Sequence, residues 1–343
     1  MRLELERRTL TLAHALESSY GALGERELLI VRLSDKDGSY GYGEAAPLEP
    51  YDGVSLERVR RALERYAPAL ADSRQLNGAQ IIDTCRQLDD LPQALAAIDL
   101  ALWDRAGRRA GQPVANMISD APSTTVPVNA TLSALDRASV ATQAAAAVQD
   151  GYTCLKLKVG LGDDAGRVAA ARAAAGPRAA LRLDANGAWD VEQAVATIEA
   201  LSPAGLELVE EPVHGLAAMR AVRERVAVRV AIDETAAELG ALSAGVADAV
   251  CLKIARCGGI SGLLAAATLV RTTGADVYVA STLDGPLGVA AALQAAAALA
   301  SRGTLPHCGL ATLGMFADLD SPLPVRAGAI ALPRAAGLGV EPF

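Results

Sequence analysis

Short apolar runs alternate along this chain with longer stretches in which apolar residues recur every three or four positions, and the rhythm changes once. In the first third, residues 27–33 (ELLIVRL) read as a strand and Asp35-Lys36-Asp37-Gly38 is a turn signal. Residues 41–47 (GYGEAAP) follow as a second short strand or loop, and 55–71 and 93–110 carry helical spacing. This part reads as α+β. Pro122-Ser123-Thr124-Thr125 marks a boundary, after which short apolar strands alternate with Ala-rich helices.

The strands read there are 126–130, 154–158, 180–184, 206–210, 230–233, 249–254, 276–281 and a weak one at 304–308. Helical segments fill the gaps, among them 134–150, 190–201 and 260–273. Eight such repeats in about 200 residues match a TIM-type barrel. The competing architecture is a doubly wound open sheet, but no GxGxxG opens a helix after a strand. The pattern favours the barrel.

Composition narrows the picture further. The 343 residues are 51% hydrophobic, 21% charged and 3% aromatic, enough for a large core built of Ala, Val and Leu. A net charge of −8 with no basic cluster disfavours nucleic acid as a partner. The N-terminus carries acids where a signal peptide needs an apolar run, and the Ala-rich stretch 288–300 is too short for a membrane span. It reads as a buried helix. Cys85, Cys154, Cys251, Cys257 and Cys308 form neither a disulfide framework nor a zinc pattern, which places the expectation in a reducing cytoplasm.

Catalytic residues of such barrels sit at the C-terminal ends of strands. Read in order, those ends are Lys156-Leu157-Lys158, Asp184, Glu210, Asp233 and Lys253. The third to fifth strands are neighbours at about 4.8 Å, so Asp184, Glu210 and Asp233 converge on one side of the mouth. Three carboxylates that close need a cation, and oxygen ligation without His or Cys selects a hard ion such as Mg²⁺. His14, His214 and His307 lie outside the cluster and read as surface residues.

The second and sixth strands are diametrically opposed in a ring of eight, so Lys158 and Lys253 face each other across the metal side. Lys156 and Lys158 share a face, roughly 6.6 Å apart along the strand. Neighbouring positive charge favours the neutral amine that a general base must be. A solvated strand end would explain an isolated Lys-x-Lys pair, but not one facing three carboxylates. The assembly suits removal of a proton next to a substrate carboxylate, followed by reprotonation on the other face or loss of a β-leaving group.

At these residues the chain resembles the muconate lactonizing enzyme subgroup of the enolase superfamily. The resemblance rests on Lys156-Leu157-Lys158, Arg182-Leu183-Asp184-Ala185-Asn186-Gly187, Glu210-Glu211-Pro212, Ile232-Asp233-Glu234 and Leu252-Lys253-Ile254 with Cys257-Gly258-Gly259. Ala97-Ile98-Asp99-Leu100 and Tyr42-Gly43-Glu44-Ala45-Ala46-Pro47 extend it to the N-terminal part. It implies a modified (β/α)7β barrel over 123–320, an α+β capping domain over 1–122, and a C-terminal segment, 321–343, that completes the cap. It also implies Asp184, Glu210 and Asp233 as ligands of Mg²⁺ (with Mn²⁺ as a substitute), Lys158 as base, Lys253 as its opposite partner and Lys156 beside them. Two loops, near 18–23 and 47–52, would close over a small carboxylate substrate, bringing Tyr20 and Tyr51 to it. A homo-oligomer with neither nucleic acid nor membrane as partner is the expectation.

Within the subgroup, o-succinylbenzoate synthases resemble this sequence at Ala280-Ser281-Thr282-Leu283-Asp284, at Gly309-Leu310-Ala311-Thr312-Leu313 and at Pro127-Val128-Asn129-Ala130. Dehydration on the menaquinone pathway is therefore the activity expected, with Ser281, Thr282, Asp284 and Asn129 meeting the substrate. Dipeptide epimerases share the lysines and metal but place an Asp-x-Asp at the mouth, a spacing that Asp318-Leu319-Asp320 has here. A surface loop is the simpler reading of that pair. Epimerase or N-acylamino acid racemase activity comes next, then muconate cycloisomerase. A Schiff-base aldolase, or a barrel that binds without catalysis, are readings from other classes.

Overall fold

The computed structural model describes the backbone of residues 1–18, 21–301 and 303–343, and within these all side chains except those of 16–18, 21, 22 and 74. The chain opens with a three-stranded antiparallel sheet, β1 (Arg2–Ser18), β2 (Gly21–Ser34) and β3 (Tyr40–Ala45). The strand read at 27–33 lies inside β2, and the turn at residues 35–38 joins it to β3. β1 escaped the sequence reading because its charged residues (RLELERR) mask the alternation of a strand with one solvated face.

Helices α1 (Glu49–Asp52), α2 (Leu56–Ala71), α3 (Gly78–Leu88), α4 (Pro92–Ala110) and α5 (Val114–Ile118) follow. α2 begins at Ser55, whose hydroxyl accepts the Arg58 N–H, and α3 begins with a capping box between Asn77 and Gln80. α4 is buried along most of its length, against the sheet on one side and the barrel on the other. Leu29, Val31 and Leu33 from β2 pack with Leu63, Tyr66, Leu95 and Ile98 into a core of their own.

The barrel is a seven-stranded parallel sheet: β5 (Ala130–Leu132), β6 (Cys154–Lys158), β7 (Ala180–Asp184), β8 (Leu206–Glu210), β9 (Val230–Ile232), β10 (Ala249–Lys253) and β11 (Asp276–Ala280). The segment at 304–308 does not form a full strand. Cys308 bridges Val128 and Gly309 bridges Ala280, both in parallel, which closes the ring between its first and last strands. Helices α6 (Arg137–Gln149), α7 (Asp164–Ala175), α8 (Val191–Leu201), α9 (Leu216–Arg223), α10 (Ile260–Arg271) and α11 (Pro286–Ala300) cover the outside. After β9 only short 3₁₀ turns appear, at Glu234–Ala237 and Ala241–Ser243.

The strand expected at 126–130 divides in two. β4 (Thr125–Pro127) pairs antiparallel with the C-terminal hairpin β12 (Val325–Arg326) and β13 (Ala329–Ala331), and only β5 belongs to the barrel. Farther on, Gly337 accepts the Val114 N–H, and the Leu338 N–H reaches the Asp104 carboxylate on α4. α11, read as a buried helix, is buried from Pro286 to Leu299. All five cysteines are free. Among the described residues, no helix is long and apolar enough to cross a membrane.

Candidate active site

Parallel pairing sets the height of each functional side chain. Lys158 is in register with Asp184, and Asp184 with Glu210, so the ends of β6, β7 and β8 lie level at the mouth. Asp233 stands at the first residue past β9, and Lys253 closes β10. Residues two apart on a strand point the same way, so Lys156 sits one layer beneath Lys158, and Cys251 one layer beneath Lys253.

The lysines and carboxylates interlock. Lys156 Nζ donates to Glu210 Oε1 at 2.7 Å and lies 2.9 Å from Asp184 Oδ2. Lys158 Nζ donates to Asp184 Oδ2 at 2.6 Å and to Asn186 Oδ1 at 2.7 Å. The group directly beside Lys158 is thus a carboxylate that also holds the Lys156 cation. Across the ring, Lys253 Nζ donates to Asp233 Oδ2 at 2.5 Å and to the Tyr51 hydroxyl at 2.6 Å. The strand order β6-β7-β8-β9-β10 puts these two lysine groups on opposite sides.

Burial penalises every charge here, and the pairing decides which survive. It raises the Asp184 carboxyl, but Lys156 and Lys158 outweigh that and hold it below its ordinary range. Asp233 is held down in the same way, chiefly by Lys253. Burial lowers the Lys253 ammonium, and Asp233 more than restores it. Among the described residues Glu210 pairs with Lys156 alone, and its carboxyl is pushed up by burial together with Asp184 and Asp233. Three lysines thus meet three carboxylates, and Glu210 is the carboxylate whose charge is least favoured.

This donor set fits a hard divalent ion. Asp184, Glu210 and Asp233 are 1%, 0% and 3% exposed and offer only oxygen. Glu210, Asp233 and Cys251 also have ligand atoms within 4.8 Å of one another. Burial drives the Cys251 thiol well above its usual value, so it stays a neutral sulfur, a poor partner for Mg²⁺.

A cavity opens over these groups. Lys156, Lys158, Lys253, Asp184, Asp233 and Asn186 form its floor, and Asn129, Thr131, Ser281, Thr282 and Thr312 one polar flank. Leu23, Leu48, Pro50, Leu283 and Met315 line the remainder. Ser281, Thr282, Asn129 and Tyr51 line this cavity, whereas Tyr20 lies outside the described residues. Tyr51 does so indirectly: its hydroxyl donates to Asp233 Oδ1 at 2.8 Å and accepts from Lys253 and Arg256. Asp284 does not line the cavity. It is 1% exposed, held behind the wall by the Thr282 hydroxyl and by its own N–H to Ser281 Oγ.

Asp318 and Asp320 are exposed and lie outside the cavity lining. His14 and His214 are exposed as expected. His307 is not a free surface residue: it is half-buried at 2.9 Å from Thr153 Oγ1, and its carbonyl accepts from the buried Arg182.

Sequence reasoning overlooked several working groups. Asn186 bridges Lys158 and Glu234, with its Nδ2 donating to Glu234 Oε1 at 2.9 Å. Its φ of 45° turns that side chain back over the strand end. The Tyr278 hydroxyl donates to Glu210 Oε2 at 2.7 Å, and Arg256 Nη1 to the Tyr51 hydroxyl at 2.6 Å. The inward alternation 278/280 and 251/253 was the available signal for Tyr278 and Cys251.

Comparison with known proteins identifies the family. Residues 5–119 match the mandelate racemase/muconate lactonizing enzyme N-terminal domain model, and 139–343 the enolase C-terminal domain-like model. An o-succinylbenzoate synthase of Thermobifida fusca is 38% identical over 237 residues, 64% of this chain and 72% of that protein. The N-succinyl Arg/Lys racemase structure from Bacillus cereus superposes with a TM-score of 0.93 at 27% identity, covering 99% of this chain and 94% of that one. The dipeptide epimerase of Enterococcus faecalis, complexed with Mg and L-Leu-L-Tyr, gives a TM-score of 0.88 at 28% identity over 98% of each chain. Relatives named as muconate cycloisomerases match as well. The chain belongs to the muconate lactonizing enzyme subgroup of the enolase superfamily, whose members matched here are enzymes.

Proposed function

We propose that this enzyme removes the proton α to a substrate carboxylate and expels a β-hydroxyl, an o-succinylbenzoate synthase-like dehydration. Asp184, Glu210 and Asp233 would hold Mg²⁺, which when bound supplies positive charge for the substrate carboxylate and for the charge that develops on it. Lys158 is the base. Its side chain is 21% exposed to the cavity against 9% for Lys253, so it is the more open of the two to a substrate carbon. Asp184 and Asn186 hold its Nζ in place. The amine takes the α-proton, the β-carbon–oxygen bond breaks, and the proton leaves with the hydroxyl as water, returning the amine. Lys253 stays protonated opposite, a fixed cation toward the developing negative charge.

The observation that carries the choice of dehydration is the cavity lining. Among the described residues its only acids are Asp184 and Asp233, both engaged with lysines. Burying a dipeptide's free ammonium there would cost several kcal/mol. The Ser281 hydroxyl, which accepts from the Thr312 hydroxyl and the Asp284 N–H and so keeps its own proton to donate, suits a succinyl carboxylate instead. The second reading, a dipeptide epimerase, is favoured by lysines on both sides and by the epimerase relatives.

The test is turnover of the succinylated cyclohexadiene carboxylate beside a dipeptide panel, in wild type and in Asp318→Asn/Asp320→Asn. Dehydration that survives the double change supports the proposal. Dipeptide epimerisation that vanishes with those aspartates would transfer the assignment to the second reading.

A further inference from the structure

The three carboxylates at the barrel mouth share one pattern of partners. On each, one oxygen accepts from a lysine: Asp184 Oδ2 from Lys158, Asp233 Oδ2 from Lys253 and Glu210 Oε1 from Lys156. The other oxygen accepts from a neutral donor. Asp184 Oδ1 takes the Asn186 N–H at 3.1 Å, Asp233 Oδ1 the Tyr51 hydroxyl at 2.8 Å, and Glu210 Oε2 the Tyr278 hydroxyl at 2.7 Å.

Glu210 differs from the two aspartates in reach and in burial. Its side chain has one more rotatable bond, and it is 0% exposed and outside the cavity lining that includes Asp184 and Asp233. Its second oxygen is held from within the barrel. Tyr278 stands two residues before Ala280, which lines the cavity, so its side chain points inward one layer lower. β9 and β10 separate β11 from β8, so the bond from Tyr278 to Glu210 crosses the barrel interior.

Tyr278 is itself braced. It is 2% exposed, and the Arg182 guanidinium lies 5.1 Å from the centre of its ring. Arg182 is 0% exposed and forks onto Glu207, with Nε to Oε2 at 2.8 Å and Nη2 to Oε1 at 3.2 Å. Its Nη1 donates to the His307 carbonyl at 2.7 Å. A braced series, Glu207 to Arg182 to Tyr278, thus ends on the Glu210 carboxylate.

We propose that Tyr278 is a positioning residue that holds Glu210 in an orientation selecting Mg²⁺ over Ca²⁺, a role that rests on Asp184, Glu210 and Asp233 being the metal ligands. Mg²⁺ demands near-ideal octahedral geometry with bonds of about 2.0–2.1 Å. Ca²⁺ tolerates looser arrangements at about 2.3–2.6 Å and takes carboxylates through one oxygen or both. A glutamate free to turn can adapt to the larger ion. One held at both oxygens, by Lys156 and by Tyr278, adapts only by giving up a hydrogen bond. Phe at position 278 keeps the ring against Arg182 and removes only the hydroxyl, which frees Glu210 Oε2.

The experiment titrates the whole metal-free enzyme, without substrate, with MgCl₂ and separately with CaCl₂ in a calorimeter. Wild type, Tyr278→Phe and Arg182→Lys are compared, and the readout is the ratio of the two dissociation constants. Wild type should bind Mg²⁺ the more tightly. In Tyr278→Phe the Kd for Mg²⁺ should rise about 10-fold, the lower end of what such supporting hydrogen bonds are worth, and that for Ca²⁺ by less than about 3-fold. Arg182→Lys leaves the hydroxyl but loosens the ring beneath it, and should move the ratio the same way by less. It carries the test if Tyr278→Phe does not fold. A tyrosine that only filled the core would lower the melting temperature of the metal-free variant and leave the ratio unchanged. That unchanged ratio, or a wild type that prefers Ca²⁺, would overturn the role of Tyr278 while leaving the ligand assignment standing. Wild type that binds no Mg²⁺ would overturn both.

Discussion

Asn186 touches Lys158, and through its Nδ2 it also reaches Glu234 on the far side of Asp233. It has no acid–base chemistry of its own, so its influence on rate acts through where it holds the lysine. Asn186→Ala should lower kcat about 10-fold, the worth of one hydrogen bond to a charged group, with a smaller change in KM. Lys158→Ala removes the proposed base and should cost about 10² to 10⁴ in rate. Steady-state kinetics on one preparation separates the two, and equal losses would show that Asn186 does more than position. The carboxylates and lysines were legible in the sequence because charges at consecutive strand ends are expensive unless they serve one site. Asn186, Tyr278 and Cys251 were not, because their roles depend on side-chain direction and on which strand stands opposite. Asp284 shows the converse: it stands within the motif, yet its side chain turns away from the cavity into the layer behind.

At the level of elements, the cavity roof depends on how closely β3 lies on α4. A Cβ on Gly43 would fall 2.0 Å from the Ala97 carbonyl oxygen, so strand and helix meet backbone to backbone. Gly43→Ala should force them apart and destabilise the fold by about 1–3 kcal/mol, read as a lower denaturation midpoint at unchanged slope. A midpoint equal to wild type would show that the contact is softer than its geometry. The alternating strands and helices were readable from 154 to 300, where each strand is a short apolar run between helices. Reading failed where pairing partners lie far along the chain. β4 has an apolar pattern like its neighbour, but its hydrogen bonds go to β13, some 200 residues later. The closing segment at 308–309 makes single bridges on either side, too little for any local pattern to reveal.

In the whole molecule, the floor and the cover of the cavity come from different layers that meet only in the folded chain. The strand ends of the barrel supply lysines and carboxylates, while the N-terminal part supplies Tyr51, Leu48 and Pro50 over them. Lys253 lies 4.2 Å from the centre of the Tyr51 ring, so the cation opposite Lys158 is covered by a residue outside the barrel. Tyr51→Phe keeps that ring but removes the hydroxyl bonded to Lys253, Arg256 and Asp233, and should cut activity about 10-fold. An unchanged rate in this variant would show that the ring alone carries the contribution. The central claim, a metal-assisted removal of an α-proton by Lys158, is tested most directly in deuterated water. Wild type, Asp184→Asn and Lys158→Ala would each be incubated with the succinylated cyclohexadiene carboxylate and a panel of dipeptides and N-acyl amino acids, with Mg²⁺ or after chelation. NMR would follow loss or exchange of the α-proton. The account predicts reaction only in wild type with Mg²⁺, restored after chelation by adding the ion back. Reaction at the wild-type rate in exhaustively chelated enzyme, or in Lys158→Ala on every substrate that turns over, would contradict it.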